Sequence, residues 1–121
     1  MNELPEDQRR LFGRFPVRVR VQLEHGGQSE EAVTENLGLG GLFVSVPRAL
    51  PYDTLVHVRF HLDEVDVDVH VDGRVVWVRN DTGREGVGIL FDSLKPIEVW
   101  GMLRFQRMLE EQGVIPERDP S

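Results

Sequence analysis

The arginines near the start of the sequence could bind an anion. Between Gln8 and Arg20 the chain carries a local charge of +5 and no acidic residue. Arginine presents a planar fork of donors, which can bind a phosphate through two hydrogen bonds and stack on a flat ring. A small anionic ligand is one interpretation, and a solvated tail enriched in arginine by chance is the other. The basic residues are Arg9, Arg10, Arg14, Arg18 and Arg20.

A second candidate is the glycine-rich stretch from Asn36 to Gly41, which reads Asn-Leu-Gly-Leu-Gly-Gly. It is not a P-loop, because the Gly-Lys-Ser/Thr ending is missing. Glycines at this spacing indicate a tight turn that needs either positive φ angles or a close approach between two backbones.

Metal and nucleophile chemistry find little support. Alternate residues of a strand lie roughly 6.6–7 Å apart, so a row of acidic residues on one strand favours a solvated face over a metal site. That row is Asp66, Asp68, His70 and Asp72. His57 and His61 would lie roughly 13 Å apart along an extended chain, too far to share an ion. Cysteine is absent and no serine lies in a nucleophile elbow, which favours a binding module over an enzyme.

Alternating apolar residues predict the strands that position these groups. The sequence indicates about six strands with short connections, which are typical of a small antiparallel barrel or sandwich. The predicted strands cover 15–24, 31–35, 42–46, 55–62, 65–78 and 86–91. Gly73 falls inside the fifth and is a candidate bulge or bend.

A helix is predicted from about Lys95 to Glu111, with Asp92-Ser93 as caps and Gly113 as the residue that ends it. Val99, Met102, Leu103 and Leu109 can share one face, and Ile97, Trp100, Phe105 and Met108 point elsewhere. The helix thus has more apolar residues than a helix with one buried face needs. Either a partner contacts the helix around Trp100, or the barrel end and the N-terminal segment cover the surplus.

The overall composition favours one cytoplasmic domain. The chain has 121 residues, of which 40% are hydrophobic and 29% charged, and a formal net charge of −7. No apolar run approaches the roughly 18 residues of a membrane helix, and the polar N-terminus is unlike a signal peptide. Overall acidity argues against a nucleic-acid binder, since such binding scales with the phosphates neutralised.

Together, the two motifs resemble the PilZ domain, a bacterial receptor family for cyclic di-GMP. The family pattern is RxxxR, often after another arginine, followed by D/N-x-S-x-x-G. Arg10 and Arg14 match the first motif, with Arg9 as the extra arginine, and Asn36 and Gly41 match the second. The resemblance extends over most of the chain, from about Gln8 to Leu109, and includes the last two strands.

The resemblance implies an all-β-dominated fold, a six-stranded antiparallel PilZ-type β-barrel with a C-terminal α-helix. It divides the chain into a flexible tail (1–8), the PilZ domain (9–111) and a disordered tail (112–121). Within the domain, the arginine segment covers 9–14, the barrel 15–91 and the helix 95–111.

The resemblance also implies a binding site. Arg9, Arg10 and Arg14 would contact the phosphates of cyclic di-GMP and stack on its guanines, while Asn36 would hydrogen-bond a guanine edge. Gly41 would let the turn adopt its shape. Gly38 stands where the family usually has serine, so one hydrogen bond is lost. That loss is about 0.5–1.5 kcal/mol, or up to about tenfold in affinity.

A receptor without catalytic residues would act through a partner. We expect a cyclic di-GMP receptor/adaptor that regulates a partner protein in motility, cell polarity or exopolysaccharide control, with no cofactor or metal. Ligand binding would neutralise the mutually repelling arginines and order their segment. The alternative is a degenerate adaptor that acts by protein contacts without the nucleotide. A small-barrel binder of single-stranded nucleic acid is a third hypothesis, disfavoured by the negative charge.

Overall fold

A computed structural model describes residues 13–117 of the chain, which form six β-strands and one α-helix. The strands are β1 (Arg20–His25), β2 (Gln28–Leu37), β3 (Gly41–Ser45), β4 (Leu55–Leu62), β5 (Val67–Arg79) and β6 (Gly86–Phe91). The helix α1 (Pro96–Glu111) follows the last strand. Within residues 13–117, α1 is too short and too polar to cross a membrane.

The six strands close into one antiparallel barrel in the order β1-β2-β3-β6-β5-β4. The barrel closes where β4 pairs with β1, with Leu23 opposite Val58. Closure leaves no long unpaired strand edge, which is one way in which small β-proteins avoid edge-to-edge association. The predicted fold, a six-stranded antiparallel barrel with a C-terminal helix, is confirmed.

The core fills the barrel because apolar residues alternate along its strands. In β4, Val56, Val58 and Phe60 are buried, whereas Arg59 between them is exposed. Val58 is fully buried, as is Ile89 of β6. Truncating Ile89 to alanine would cost about 2–5 kcal/mol, because the barrel wall cannot collapse fully into the cavity.

The helix α1 packs against β5 at a close contact. A Cβ atom at Gly101 would lie 2.8 Å from side-chain atoms of Val67, so only glycine fits there without a shift. Met102, Phe105 and Leu109 are buried beside this contact. The predicted orientation of Phe105 away from the packed face is therefore wrong. The buried face of the helix is rotated about its axis from the predicted face, since Val99 and Leu103 are only half-buried.

The helix start also differs from the sequence prediction. The N-cap is Lys95 rather than Ser93, and the backbone N–H of Lys95 donates to Oε1 of Glu98 (2.8 Å). The other carboxylate oxygen of Glu98 accepts the N–H of His70 in β5 (2.7 Å). Glu98 is buried at 2% exposure, and its two hydrogen bonds offset the cost of removing the carboxylate from water.

The predicted first strand begins later than expected, at Arg20. Between Phe15 and Arg20 the chain instead bonds to one residue, Thr34. The Thr34 hydroxyl donates to the carbonyl of Val17 (2.6 Å) and accepts the N–H of Val19 (2.8 Å), and the Thr34 N–H donates to the carbonyl of Val19 (2.9 Å). The buried hydroxyl thus replaces two hydrogen bonds that the backbone of a regular strand would have made. The alternating sequence pattern does not indicate this replacement.

Candidate functional site

The two motifs meet through a short backbone bridge. Phe15, directly after Arg14, donates its N–H to the carbonyl of Leu37 (2.9 Å) and accepts the N–H of Leu37 (3.0 Å). Phe15 is fully buried, which anchors this bridge in the core. Leu37 is the last residue of β2, so the bridge holds Arg14 beside the glycine turn that follows.

Close backbone contacts explain two glycines of that turn. A Cβ atom at Gly38 would lie 2.4 Å from the carbonyl oxygen of Gly13, and one at Gly41 would lie 2.1 Å from that of Ile89. Neither distance is possible for a side chain. The turn is closed by a hydrogen bond from Gly38 N–H to the Gly41 carbonyl (2.9 Å). The glycines therefore allow Gly13 and β6 to approach the turn, as the tight spacing predicted.

Arg14 lies on this turn. A Cβ atom at Gly41 would lie 3.2 Å from Nη2 of Arg14. Any residue larger than glycine at position 41 would therefore crowd the Arg14 guanidinium. Arg14 is only 9% exposed. Three predicted site residues, Arg14, Gly38 and Gly41, are thus in contact or separated by one layer of atoms. Arg9 and Arg10 lie outside the described residues.

Strand register extends the site across the barrel exterior. Asn36 of β2 lies opposite Phe43, Phe43 lies opposite Gly88, and Gly88 lies opposite Trp77 of β5. These four residues form one row across four strands. With strands about 4.8 Å apart, the row is about 14 Å long. Gly88 leaves the middle of the row without a side chain of its own.

Two β-bulges create the row. The register shifts between Thr34 and Asn36 in β2, and between Val75 and Trp77 in β5. A bulge inserts one extra residue and re-aims the side chains that follow it. Each bulge comes directly before a residue of the row. Gly73, the candidate bulge or bend, is paired within β5 opposite Phe91, and the register shift lies after it.

The side-chain oxygen of Asn36 is poorly satisfied. Its Oδ1 atom is buried and has no hydrogen-bond partner among residues 13–117. A buried acceptor without a donor costs about 1–3 kcal/mol relative to a bonded one. The row therefore contains a buried acceptor that the described residues leave without a donor.

A charged cluster borders the row. Glu35, in the β2 bulge, receives two hydrogen bonds from Arg79 (2.5 and 3.1 Å) and one from the Ser45 hydroxyl (2.7 Å). The hydrogen bond from Arg79, more than any other cause, lowers the pKa of Glu35 below its ordinary value. The Arg79 guanidinium also lies 4.9 Å from the centre of the Phe43 ring. This cluster covers Phe43 and fixes the cation at the rim of the row.

Comparison with known proteins identifies the family. The family model of the PilZ domain matches residues 8–110. The chain belongs to the PilZ domain family. PilZ domains are binding domains rather than enzymes. No curated protein shows a significant sequence match.

Solved structures share the PilZ fold. The inhibitor of motility MotI/DgrA of Bacillus subtilis aligns with a TM-score of 0.75 and 11% identity, over 92% of this chain and 53% of that chain. The PilZ domain of CeSA from a cellulose-synthesizing bacterium gives 0.57 and 25% identity, over 80% and 97%. PlzA of Borreliella burgdorferi, solved in complex with c-di-GMP, gives 0.55 and 13%, over 87% and 40%. This chain thus spans about half the length of MotI/DgrA.

The structure adds residues that the motif analysis of this PilZ domain missed. Phe43, Trp77 and Arg79 share the surface with Asn36, and Trp77 is 44% exposed. The sequence shows aromatic residues in strands, but only the bulges and the register place them on one face. No pattern in the sequence marks Glu35 and Arg79 as partners.

The acidic and histidine residues singled out in the sequence lie on β4 and β5. His57 bonds to Asp72 (2.8 Å) and His61 to Asp68 (2.7 Å), each pair directly opposed across β4 and β5. Over residues 13–117, no group of three or more histidine, aspartate or glutamate side chains is arranged to hold a metal ion.

The exposed face of α1 lies beside the turn that joins β4 to β5. Ile97 is 59% exposed and Trp100 49% exposed, and the Arg104 guanidinium lies 5.1 Å from the centre of the Trp100 ring. A groove of about 440 Å³ runs between this face and the turn that joins β4 to β5, with Glu64 and Val65 on the turn side. The surplus apolar residues predicted from sequence are thus partly exposed.

Proposed function

We propose that this PilZ domain is a cyclic di-GMP receptor that regulates a partner protein, in motility, cell polarity or exopolysaccharide control. The observation that carries the proposal is the contact between the two motifs, with the Arg14 guanidinium against Gly41 and with Asn36 at the end of the adjacent row. PlzA, a structural neighbour, was solved with c-di-GMP, and MotI/DgrA is an inhibitor of motility.

The chemistry of the ligand suits these groups. Cyclic di-GMP carries two phosphates and two guanines, so it needs cations, flat surfaces and hydrogen-bonding groups together. Arg9, Arg10 and Arg14 would supply the cations. A guanine edge offers N–H donors to Oδ1 of Asn36, which no donor within residues 13–117 occupies and which ligand binding would have to expose. Trp77 offers an exposed ring at the other end of the row.

Gly38 bears on affinity in a way that the sequence alone does not indicate. The family serine would add a hydroxyl, but a Cβ atom here would lie 2.4 Å from the Gly13 carbonyl. Gly38 therefore supports a closer approach of Gly13 at the expense of one hydrogen bond. We expect the lost hydrogen bond to lower the affinity for cyclic di-GMP by up to about tenfold.

Calorimetry with cyclic di-GMP tests the proposal. Arg14→Ala should abolish or greatly weaken binding, while Arg18→Ala, from the same arginine-rich stretch but exposed, should bind as the wild-type chain does. Absence of heat from the wild-type chain at high micromolar ligand would refute the nucleotide-binding half. Equal binding by the Arg14→Ala variant would refute the site.

The second candidate, an adaptor that never binds the nucleotide, draws on the exposed Ile97 and Trp100 of α1. Under this hypothesis, joint alanine substitution of Arg10 and Arg14 leaves the cellular phenotype intact, whereas Trp100→Ala with Ile97→Ser removes it. The receptor hypothesis predicts that the arginine variant behaves like a deletion. A complementation assay in the source bacterium separates the two.

A further inference from the structure

The C-terminal segment returns to the candidate site after the helix ends. The N–H of Glu117 donates to the carbonyl of Arg14 (2.6 Å), and the N–H of Arg14 donates to the carbonyl of Glu117 (3.5 Å). The two residues form an isolated antiparallel bridge. Residues 112–117 fall within the tail predicted to be disordered, yet Glu117 is paired and Val114 packs against the core.

Arg14 and Phe15 are therefore held from both sides. Phe15 exchanges two hydrogen bonds with Leu37 at the end of β2, and Arg14 exchanges two with Glu117. The pair behaves as a short strand between β2 and the C-terminal segment. Both bonds to Glu117 involve only main-chain atoms, so the glutamate side chain contributes nothing to the bridge.

We propose that docking of residues 114–117 holds Arg14 in its ligand-binding position, so that cyclic di-GMP binding and docking of the C-terminal segment stabilise each other. The inference rests on the proposed function for its ligand. Its physical basis is preorganisation, since a segment already fixed at both edges loses less conformational freedom when ligand binds.

Coupling of this kind is reciprocal. If a docked segment raises ligand affinity by some factor, bound ligand stabilises docking by the same factor. The C-terminal end of α1 and the residues after it then carry the signal of ligand occupancy to the surface. A partner that contacts this end would distinguish the bound from the free receptor without touching the nucleotide.

A pair of substitutions in the full chain isolates the main-chain bridge. Glu117→Pro removes the N–H that donates to Arg14, while Glu117→Ala keeps that N–H and removes only the side chain. By calorimetry with cyclic di-GMP, the proline variant should bind about threefold to tenfold more weakly, the worth of one hydrogen bond. The alanine variant should bind within about twofold of wild type by the same scale. A chain ending at Ile115 should match the proline variant.

Amide hydrogen exchange supplies a measurement without ligand. The N–H groups of Phe15 and Leu37 should exchange faster in the proline variant than in the alanine variant, by a similar threefold to tenfold factor. A thermal midpoint close to wild type in both variants would show that the barrel is intact. In the wild-type chain, added cyclic di-GMP should slow exchange at Glu117.

The outcomes separate the two proposals. If the wild-type chain does not bind cyclic di-GMP, the proposed function fails, and exchange at Phe15 and Leu37 alone decides whether docking orders the segment. If the wild type binds and the proline variant binds equally well or more tightly, the coupling is refuted while the receptor function stands. Unchanged exchange at Phe15 and Leu37 in the proline variant also refutes it.

Discussion

Arg14 contacts the turn at Gly41: a Cβ atom on that glycine would lie 3.2 Å from Nη2 of the arginine. The two residues belong to different motifs and meet because Phe15 pairs with Leu37 next to them. The contact thus depends on a buried aromatic side chain and two backbone hydrogen bonds. Charge gives this arginine its affinity for an anion, but the β-bridge gives it a position.

The first prediction concerns Gly38→Ser, which restores the family serine. A Cβ atom at Gly38 meets the Gly13 carbonyl at 2.4 Å, and the main chain must shift to admit it. We expect a loss of about 1–3 kcal/mol in the free energy of unfolding, the usual cost of overpacking. Urea denaturation measures it, and calorimetry should show no gain in cyclic di-GMP affinity.

Gly40→Ala is the matched control for that variant. Apart from its two chain neighbours, no described residue has an atom within 4 Å of a Cβ atom at Gly40, although the residue belongs to the same turn. Its free energy of unfolding should stay within about 0.5 kcal/mol of wild type, as for an ordinary surface change. The prediction is contradicted if the Gly38→Ser variant has wild-type stability and binds cyclic di-GMP more tightly. That result would show that Gly13 moves away without a loss in the free energy of unfolding.

The sequence predicts the barrel well because its information is local. Alternation of apolar residues sets β4 and β6 at their observed bounds, Leu55–Leu62 and Gly86–Phe91. The glycine spacing also predicts a tight turn that needs either positive φ angles or a close backbone approach, and the structure shows the close approach at Gly38 and Gly41. The alternating pattern names the buried face of each strand directly, whereas the backbones that approach the turn, at Gly13 and Ile89, come from distant parts of the chain.

The unpredicted parts depend on contacts between distant residues. Trp77 joins the row with Asn36 because two bulges shift the register of separate strands. Glu35 and Arg79 pair across the barrel exterior, and no sequence spacing predicts this pair. The Thr34 hydroxyl replaces strand bonds of Val17 and Val19 in the same way. Register and side-chain bonding are tertiary properties, and a single sequence does not display them.

The second prediction is an acid dependence of stability that Glu35 confers. Its pKa is lowered in the fold, chiefly by the hydrogen bond from Arg79. A carboxyl group with a lowered folded pKa stabilises the fold above its ordinary value of 4.5, and this contribution is lost as the pH falls through the lowered value. Because Glu35 is 38% exposed, we expect only about 0.5–1 kcal/mol.

Glu35→Gln tests this dependence. Near neutral pH the variant should unfold more easily than wild type, and the difference should shrink as the pH falls below 4.5. Glu31→Gln, an exposed glutamate of the same strand, should show no such pattern. Chemical denaturation from pH 7 to pH 3 measures both. A constant difference across that range would mean that the carboxylate charge is not what stabilises the cluster.

The third prediction concerns His61, at the end of β4. Its Nδ1 bonds to Asp68 (2.7 Å), and this bond, together with the charges of Asp68, Asp63 and Asp66, raises its pKa above 6.5. A raised folded pKa means that the stabilisation is fully present below pH 6.5 and is lost as the pH rises through the raised value.

An NMR titration of the His61 ring protons tests that shift. The midpoint should lie above 6.5 in the wild-type chain and fall towards that value in Asp68→Asn, which removes both the charge and the strongest acceptor. Asp81→Asn, on a different turn, should leave the midpoint unchanged. A wild-type midpoint at or below 6.5 would mean that solvent screens these carboxylates at the exposed ring.

The fourth prediction uses the two tryptophans to locate bound ligand. Trp77 ends the row that begins at Asn36, whereas Trp100 lies on the exposed face of α1. Each can be observed alone, in Trp100→Phe and Trp77→Phe respectively. A guanine near Trp77 would change its fluorescence, because stacked aromatic rings exclude water from the indole face.

We expect cyclic di-GMP to alter the emission of the Trp100→Phe variant and to leave that of the Trp77→Phe variant unchanged. The opposite result would move the ligand site to the helix and refute the assignment of the row. A change in both variants would indicate that ligand binding reaches α1, as the Arg14–Glu117 bridge allows.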